Sequence, residues 1–260
     1  MTAMLVVLTA VLGLAVGSFL NVVVWRVPRG ESVVSPPSAC PGCGTAIRPR
    51  DNVPVVSWLL LRGKCRSCGA AISRRYPLVE AGTALLFVVM ALRFGWDPAL
   101  PAYLYLAAVG LALALIDLDC RRLPDVLTLP SYGVALVLLG AAALLGSDSG
   151  DMLRAVLGGA AMFAFYFALG FIHPAGMGFG DIKLSGVLGL YLGWLGWGVW
   201  ALGAFLGFLL GGLFGIAMMA LGRGGRKTAV PFGPFMLLGV LVAVLFGEWL
   251  VDAYLSAAGL

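Results

Sequence analysis

Two aspartates stand where apolar segments meet polar ones: Asp117, in Ile116-Asp-Leu-Asp-Cys-Arg-Arg-Leu-Pro-Asp125, and Asp181, in Gly176-Met-Gly-Phe-Gly-Asp-Ile-Lys183. A carboxylate beside hydrocarbon carries a heavy desolvation cost, so residues of this kind mark chemistry or transport. If the two segments pack together, the carboxylates form a coupled pair, one holding a proton while the other stays ionised. The ionised member draws a proton from water as it attacks a peptide carbonyl, and the protonated member donates to the oxyanion or the leaving amine. That is hydrolysis without a covalent intermediate. Gly178 and Gly180 remove side-chain bulk ahead of Asp181, leaving room for an extended substrate backbone. The plain alternative is a turn entering a helix, with Asp181 as its cap.

The elements that must position these residues are membrane helices. Of the residues, 61% are hydrophobic and only 11% charged, with a mean hydropathy of +1.02. One water-soluble core cannot hide that much apolar surface. Measured against the roughly 20 residues that cross a bilayer, the chain offers eight candidate spans, at 4–25, 77–93, 99–116, 126–146, 152–172, 182–196, 198–221 and 233–255. The sixth is short, and its boundary with the seventh is weak. Arg26 and Arg29 follow the first span instead of preceding it, which favours a retained helix over a cleaved signal peptide.

Basic residues orient the chain. Arg26, Arg29, Arg48, Arg50, Arg62, Lys64, Arg66, Arg74 and Arg75 flank or occupy the first loop, while Arg121, Arg122, Lys183, Arg223, Arg226 and Lys227 fall in alternate later loops. Only Arg93 and Arg154 lie opposite, so the positive-inside rule places the first loop and both aspartates in the cytoplasm and both termini outside. The net charge of +5 follows from this asymmetry and from anionic lipid headgroups. It gives no support for nucleic-acid binding.

The polar insertion between the first two spans contains Cys40-Pro-Gly-Cys43 and Cys65-Arg-Ser-Cys68. Each Cys-x-x-Cys pair offers two thiolates from a tight turn, and two such pairs complete a tetrahedral zinc site. A reducing compartment disfavours the alternative, two disulfides. Four sulfurs leave no open coordination position, so the metal is structural and folds a module too small for its own core. The organisation expected is thus a first transmembrane helix (1–27), a four-cysteine zinc-binding loop domain (28–76) and a membrane domain of about seven helices (77–260). The fold class is an all-α polytopic membrane protein with about eight spans. Cys120 is left as a free thiol, and the single histidine, His173, beside Pro174, is assigned no role. Gly203, Gly207, Gly211 and Gly215 recur every fourth residue and line one helix face for close packing.

The chain resembles the type IV prepilin peptidases along nearly its whole length. The likeness is carried by Gly17-Ser-Phe-Leu-Asn-Val-Val-Val-Trp-Arg26, the two cysteine pairs, Asp51-Asn-Val-Pro54, Leu61-Arg-Gly-Lys-Cys65, Arg75-Tyr-Pro-Leu-Val-Glu80, the stretches around Asp117 and Asp181, and Pro231-Phe-Gly-Pro234. The resemblance implies a GxGD-type aspartic peptidase of the bacterial inner membrane. Such an enzyme cuts the basic leader from membrane-embedded type IV prepilins or pseudopilins at the cytoplasmic face, serving pilus assembly or type II secretion. It further implies Asp117 and Asp181 as the catalytic dyad, with Asp119 the rival for the first position. Asp119, Asp125, Gly178, Gly180 and Lys183 then become substrate-positioning residues. The four cysteines make the chain similar to bifunctional members that also N-methylate the new N-terminal residue with S-adenosylmethionine. That transfer requires a neutral amine, and Glu80 is the candidate to position or deprotonate it, with an ion pair to Arg74 or Arg75 as the alternative.

Two other classes are weighed against this reading. A proton-coupled transporter would place polar binding groups at the middle of several spans, which here are almost wholly apolar. A non-catalytic zinc-bearing scaffold of a secretion system accounts for the cysteines but leaves the paired aspartates idle.

Overall fold

In the computed structural model, which describes residues 2–146, 149–173, 177–222 and 231–259, the apolar stretches fold as helices. They are α1 (Thr2–Arg26), α2 (Val56–Leu60), α3 (Arg75–Phe94), α4 (Leu100–Cys120), α5 (Asp125–Leu145), α6 (Ser149–Ile172), α7 (Phe179–Leu195), α8 (Trp197–Ala220) and α9 (Gly233–Ala258). The described residues contain no strand, only two isolated bridges in the cysteine loop. All helices but α2 and α7 are long and apolar enough to cross a membrane. All eight expected spans have a helix, and the weak boundary between the sixth and seventh is Gly196 alone, at φ 140°. Arg223, Arg226 and Lys227, used above to orient the last loop, lie outside the described residues.

The chain forms two compact units, residues 1–112 and 113–260, with α4 beginning in the first and ending in the second. In the first unit α1 and α3 run antiparallel with almost no gap between backbones. A Cβ on Gly13 would sit 2.6 Å from the Cα of Ala84, and one on Gly17 would sit 2.7 Å from the Cα of Glu80. One turn further on, Asn21 Nδ2 donates to the Tyr76 carbonyl at 3.2 Å. This stripe of small residues sets the register.

In the second unit α7 is the hub. It packs against α5, α6, α8 and α9, and every residue from Leu184 to Trp194 is buried. A helix apolar on all sides is one enclosed by protein, which is how a helix of 17 residues, at the lower limit for spanning, is accommodated. The α6 contact is made through glycines. A Cβ on Gly189 would meet the Gly158 carbonyl at 2.5 Å, and one on Gly193 would meet the Arg154 carbonyl at 2.7 Å. At the far end Arg154 caps α7, its Nε donating to the Gly193 carbonyl at 2.7 Å and its Nη2 to that of Trp194 at 2.6 Å.

The glycine face of α8 is used in part. Gly203 lies on Leu192 and Ala243, Gly207 on Met236 and Gly211 on Phe232, whereas Gly215 faces open space. One expected outcome follows. Gly189→Val forces the α6 backbone away and destabilises the membrane unit by about 1–3 kcal/mol, whereas Gly215→Val leaves the melting temperature in detergent unchanged; thermal denaturation of the two purified variants measures both.

Candidate functional site

Asp117 sits in the last turn of α4, which ends because Arg121 turns into the left-handed region at φ 52° and returns its N–H to the Asp117 carbonyl at 2.8 Å. The Asp117 side chain is 5% exposed. Its Oδ2 accepts the backbone N–H of Gly233, the first residue of α9, at 3.1 Å. A Cβ on Gly233 would lie 2.9 Å from that oxygen, so only glycine permits this approach. Asp181 occupies the first turn of α7, three residues past the N-cap Gly178, and its carboxylate reaches back to the Gly178 backbone. This is one half of a capping box. Each carboxylate thus faces a helix N-terminus, where unpaired N–H groups and the helix dipole favour negative charge.

The two aspartates interact electrostatically with one another. Leu123, from the four-residue corner joining α4 to α5, packs against Gly180, which precedes Asp181, and against Gly233, which bonds Asp117. Its Cβ is 3.0 Å from where a Cβ on Gly180 would be, and its Cδ2 is 3.4 Å from the equivalent point on Gly233. The clearance expected beside Gly180 is therefore filled by Leu123, which lets the α4–α5 corner press close to the α7 N-terminus. Gly178, by contrast, is exposed and has only the Asp181 carboxylate near it. Sequence reasoning passed over Gly233 and Leu123 as site residues, although a Gly-Pro pair opening a helix is a recognisable signal for free N–H groups.

Lys183, two residues past Asp181, pairs with both oxygens of Asp125 at 2.8 and 2.7 Å and lies over the Phe179 ring at 4.8 Å. The Lys183 carbonyl also accepts the Tyr132 hydroxyl at 2.7 Å. Both contacts tie α5 to α7. Asp119 is exposed on the final turn of α4, as is Cys120, and His173 is exposed after α6. Gly176 lies outside the described residues.

The four cysteines of the first loop converge, their sulfurs all within 4.8 Å of one another and none in a disulfide. The two turns that present them are copies of one design. Gly44 donates to the Cys40 carbonyl at 2.8 Å and Gly69 to that of Cys65 at 2.9 Å, with Gly44 at φ 69° and Gly69 at φ 71°. Ala39 bridges to Ala46 and Lys64 to Ala71. Cys40 and Cys68, from opposite turns, have sulfurs 3.8 Å apart, the edge of a tetrahedron whose centre lies about 2.3 Å from each sulfur. The donor set could hold a metal ion. The hydrogen bonds of Thr45 pull the Cys43 thiol down to about 6, and the backbone N–H groups of Cys68 and Ser67 pull Cys65 down as well.

Comparison with known proteins agrees in both halves of the chain. The bacterial peptidase A24 N-terminal domain matches residues 11–94, and the type IV leader peptidase family matches residues 104–220. The prepilin leader peptidase/N-methyltransferase of Pseudomonas aeruginosa is 38% identical over 278 residues, covering 98% of this chain and 94% of that one. The chain belongs to the type IV leader peptidase family. Proteins of the same name from Aeromonas hydrophila (37% identical; 94% of this chain, 91% of the relative) and Bacillus subtilis (33%; 95% and 97%) match at similar length. No solved structure matches.

Within the first unit of this leader peptidase family member, Glu80 is buried at 8% exposure. Its Oε2 accepts the Val55 backbone N–H at 2.7 Å, and Ser18 bonds to the same carboxylate. Val55 is held at φ 61°, unusual for a β-branched residue. Glu80 therefore fastens the cysteine loop to α1 and α3. Nearby, Arg66 grips Asp51 through Nε at 3.0 Å and Nη2 at 2.7 Å and holds its carboxyl below the usual range.

The thiol environment yields a pH-dependent outcome. A lowered pKa means that the thiolate of Cys43 predominates above about pH 6 and is lost as pH falls through that value. In chelator-treated protein whose hydrogen exchange across residues 36–76 matches that of the untreated protein, Cys43 should therefore be alkylated before Cys68, whose thiol is pushed up to about 11, and its labelling should slow as pH falls through about 6. Mass-spectrometric mapping of iodoacetamide labelling against pH measures it; equal rates at both cysteines would contradict the assigned environments.

Proposed function

We propose that this chain cleaves the basic leader peptide from type IV prepilins or pseudopilins with Asp117 and Asp181 as its catalytic dyad, and N-methylates the new N-terminus. The observation that carries the reading is the convergence of Asp117 and Asp181, 64 positions apart in sequence, at the N-termini of α9 and α7. The names of the relatives agree with it. One carboxylate, ionised, takes a proton from water as the oxygen attacks the scissile carbonyl. The other, protonated, donates to the developing oxyanion; the first then passes the proton taken from water to the departing amine, and the second recovers its own as the carbonyl of the acid product re-forms. The N–H of Gly233 fixes the Asp117 side chain through this exchange and contributes positive potential where negative charge gathers.

Location follows from the same residues. The basic loops support a reading in which the α4–α5 corner and the start of α7 lie at the cytoplasmic face of a bacterial inner membrane. A site at the membrane edge spares the charged leader from entering hydrocarbon. Asp119, Asp125 and Lys183 flank it as substrate-positioning residues, Asp119 offering negative charge to the leader's lysines or arginines and Asp125 acting through its pair with Lys183. Gly178 leaves space for the extended backbone, and Gly180 brings the α4–α5 corner up beside it.

Cys40, Cys43, Cys65 and Cys68 would hold a structural zinc ion, whose role is to fold the loop. S-adenosylmethionine, implied by the methyltransferase in the relatives' name, supplies an electrophilic methyl group when bound. The chain's part is to present a neutral, aligned amine. Glu80 is proposed for that part. A carboxylate accepts up to about four hydrogen bonds, so its bonds to Val55 and Ser18 leave capacity for a substrate ammonium.

The cleavage reading is tested with a purified prepilin substrate and single variants. Asp117→Asn and Asp181→Asn should each lower the cleavage rate by about three to four orders of magnitude, with unchanged melting temperature; Asp119→Asn and Asp125→Asn should be milder. Full activity of Asp181→Asn would sink the mechanism, and an inactive Asp119→Asn beside an active Asp117→Asn would move the first role two residues on. Methylation of a pre-cut substrate should survive Asp181→Ala and be lost in Glu80→Gln. Equal loss of both activities in both variants, with folding intact, would point to a single shared site.

A further inference from the structure

The five-residue helix α2 has two unlike faces. Ser57 is buried, with Oγ donating to the Arg50 carbonyl at 3.0 Å, and Trp58 turns inward, its Nε1 donating to the Ile72 carbonyl at 3.1 Å and its ring lying against Gly63. The opposite face presents Val56, Leu59 and Leu60 at 49%, 61% and 78% exposure. A loop-borne apolar face of this kind requires a partner.

The height of α2 along α3 says what that partner is. Val55, immediately before α2, donates its N–H to Glu80, which lies five residues into α3. At about 1.5 Å per residue that is 7–8 Å below the first residue of the spanning helix. Tyr76, at the top of α3, and Trp25, at the end of α1 with the Arg29 guanidinium 3.6 Å over its ring, are both exposed. Such aromatic residues mark the membrane–water boundary. Because α2 hangs from a residue one turn deeper than Tyr76, its apolar face stands at the level of the headgroups and upper acyl chains. Directly after it, Arg62, at φ 52°, and Gly63, at φ 67°, turn the chain back, leaving Arg62 and Lys64, both exposed, next to the leucines in the chain. Apolar residues with flanking cations form an interfacial anchor for anionic lipid.

We propose that α2 is an in-plane membrane anchor of the cysteine module: Val56, Leu59 and Leu60 enter the cytoplasmic leaflet, and Arg62 and Lys64 hold anionic phospholipid headgroups. The anchor stands independently of the dyad's chemistry. It keeps the loop at a fixed height by lipid contact as well as by the Glu80 hydrogen bonds. The charge argues for lipid over a substrate leader, since a basic leader would be repelled by Arg62 and Lys64.

The test is photocrosslinking of the full chain in lipid nanodiscs. With Leu60→p-benzoylphenylalanine, irradiation in phosphatidylglycerol nanodiscs should give lipid adducts by mass spectrometry at about ten times the yield of the same probe at Val34, an exposed residue distant from α2 in sequence. Arg62→Gln with Lys64→Gln should reduce adducts with phosphatidylglycerol several-fold and those with phosphatidylcholine little. Hydrogen exchange across residues 36–76 that matches the parent protein confirms folding, and Leu59 takes the probe if the Leu60 variant fails that check. Adduct yields no higher than at Val34 would overturn the proposal. So would adducts to an added prepilin in place of lipid, which would assign the face to substrate instead.

Discussion

The arrangement of the second unit depends on one hydrogen bond, from the Gly233 N–H at the start of α9 to the buried Asp117 carboxylate at the end of α4. A buried carboxylate without a donor is costly, and a helix N-terminus without an acceptor is likewise unsatisfied. Each meets the other's need. The contact exists only because Gly233 has no Cβ, because Arg121 ends α4 shortly after the aspartate, and because Leu123 fits against Gly180 and Gly233 together. Asp181 is brought to the same place by α7, a short helix that must be enclosed to remain in a membrane. The glycines of α6 and α7 let that enclosure close to backbone contact. Packing far from the carboxylates therefore sets where they stand.

The first unit solves a different problem. Its polar loop has no core of consequence, and its order comes from local devices: duplicated cysteine turns, the Asp51–Arg66 pair, the Trp58 indole on the Ile72 carbonyl, and Glu80 holding Val55. Such a module is sensitive to its thiols in a way the helices are not. Glu80 has a place in both parts of the account, since the group proposed to orient an amine also secures the loop, and a conservative Glu80→Gln change keeps size and some hydrogen bonding while removing the charge.

Much of this was legible in the residues. The eight apolar segments became eight helices, seven of them because length and hydropathy set spans directly and α7 because its neighbours enclose it, and the Cys-x-x-Cys pairs converged because a tight turn fixes the geometry of each pair locally. Asp117 and Asp181 were identifiable as charges at the ends of apolar runs. What the sequence left obscure is non-local. The partners of glycines depend on which helices touch: Gly203, Gly207 and Gly211 meet neighbours, while Gly215, in the same register, meets none, and the closest crossing runs through Gly158 and Gly189 instead. Gly233 and Leu123 carry no chemistry of their own, so nothing in their residue type announces that they shape the site. The Lys183–Asp125 pair likewise joins residues 58 positions apart.

The most direct measurement of the central claim, that Asp117 and Asp181 act as one unit, is a double-mutant cycle on cleavage of a prepilin by purified protein in a single detergent. Groups that exchange one proton across a shared reaction are not additive. The account predicts that Asp117→Asn with Asp181→Asn is no slower, within about a factor of ten, than the worse of the two single variants. A double variant whose loss equals the product of the single losses would show two independent contributions and contradict the dyad.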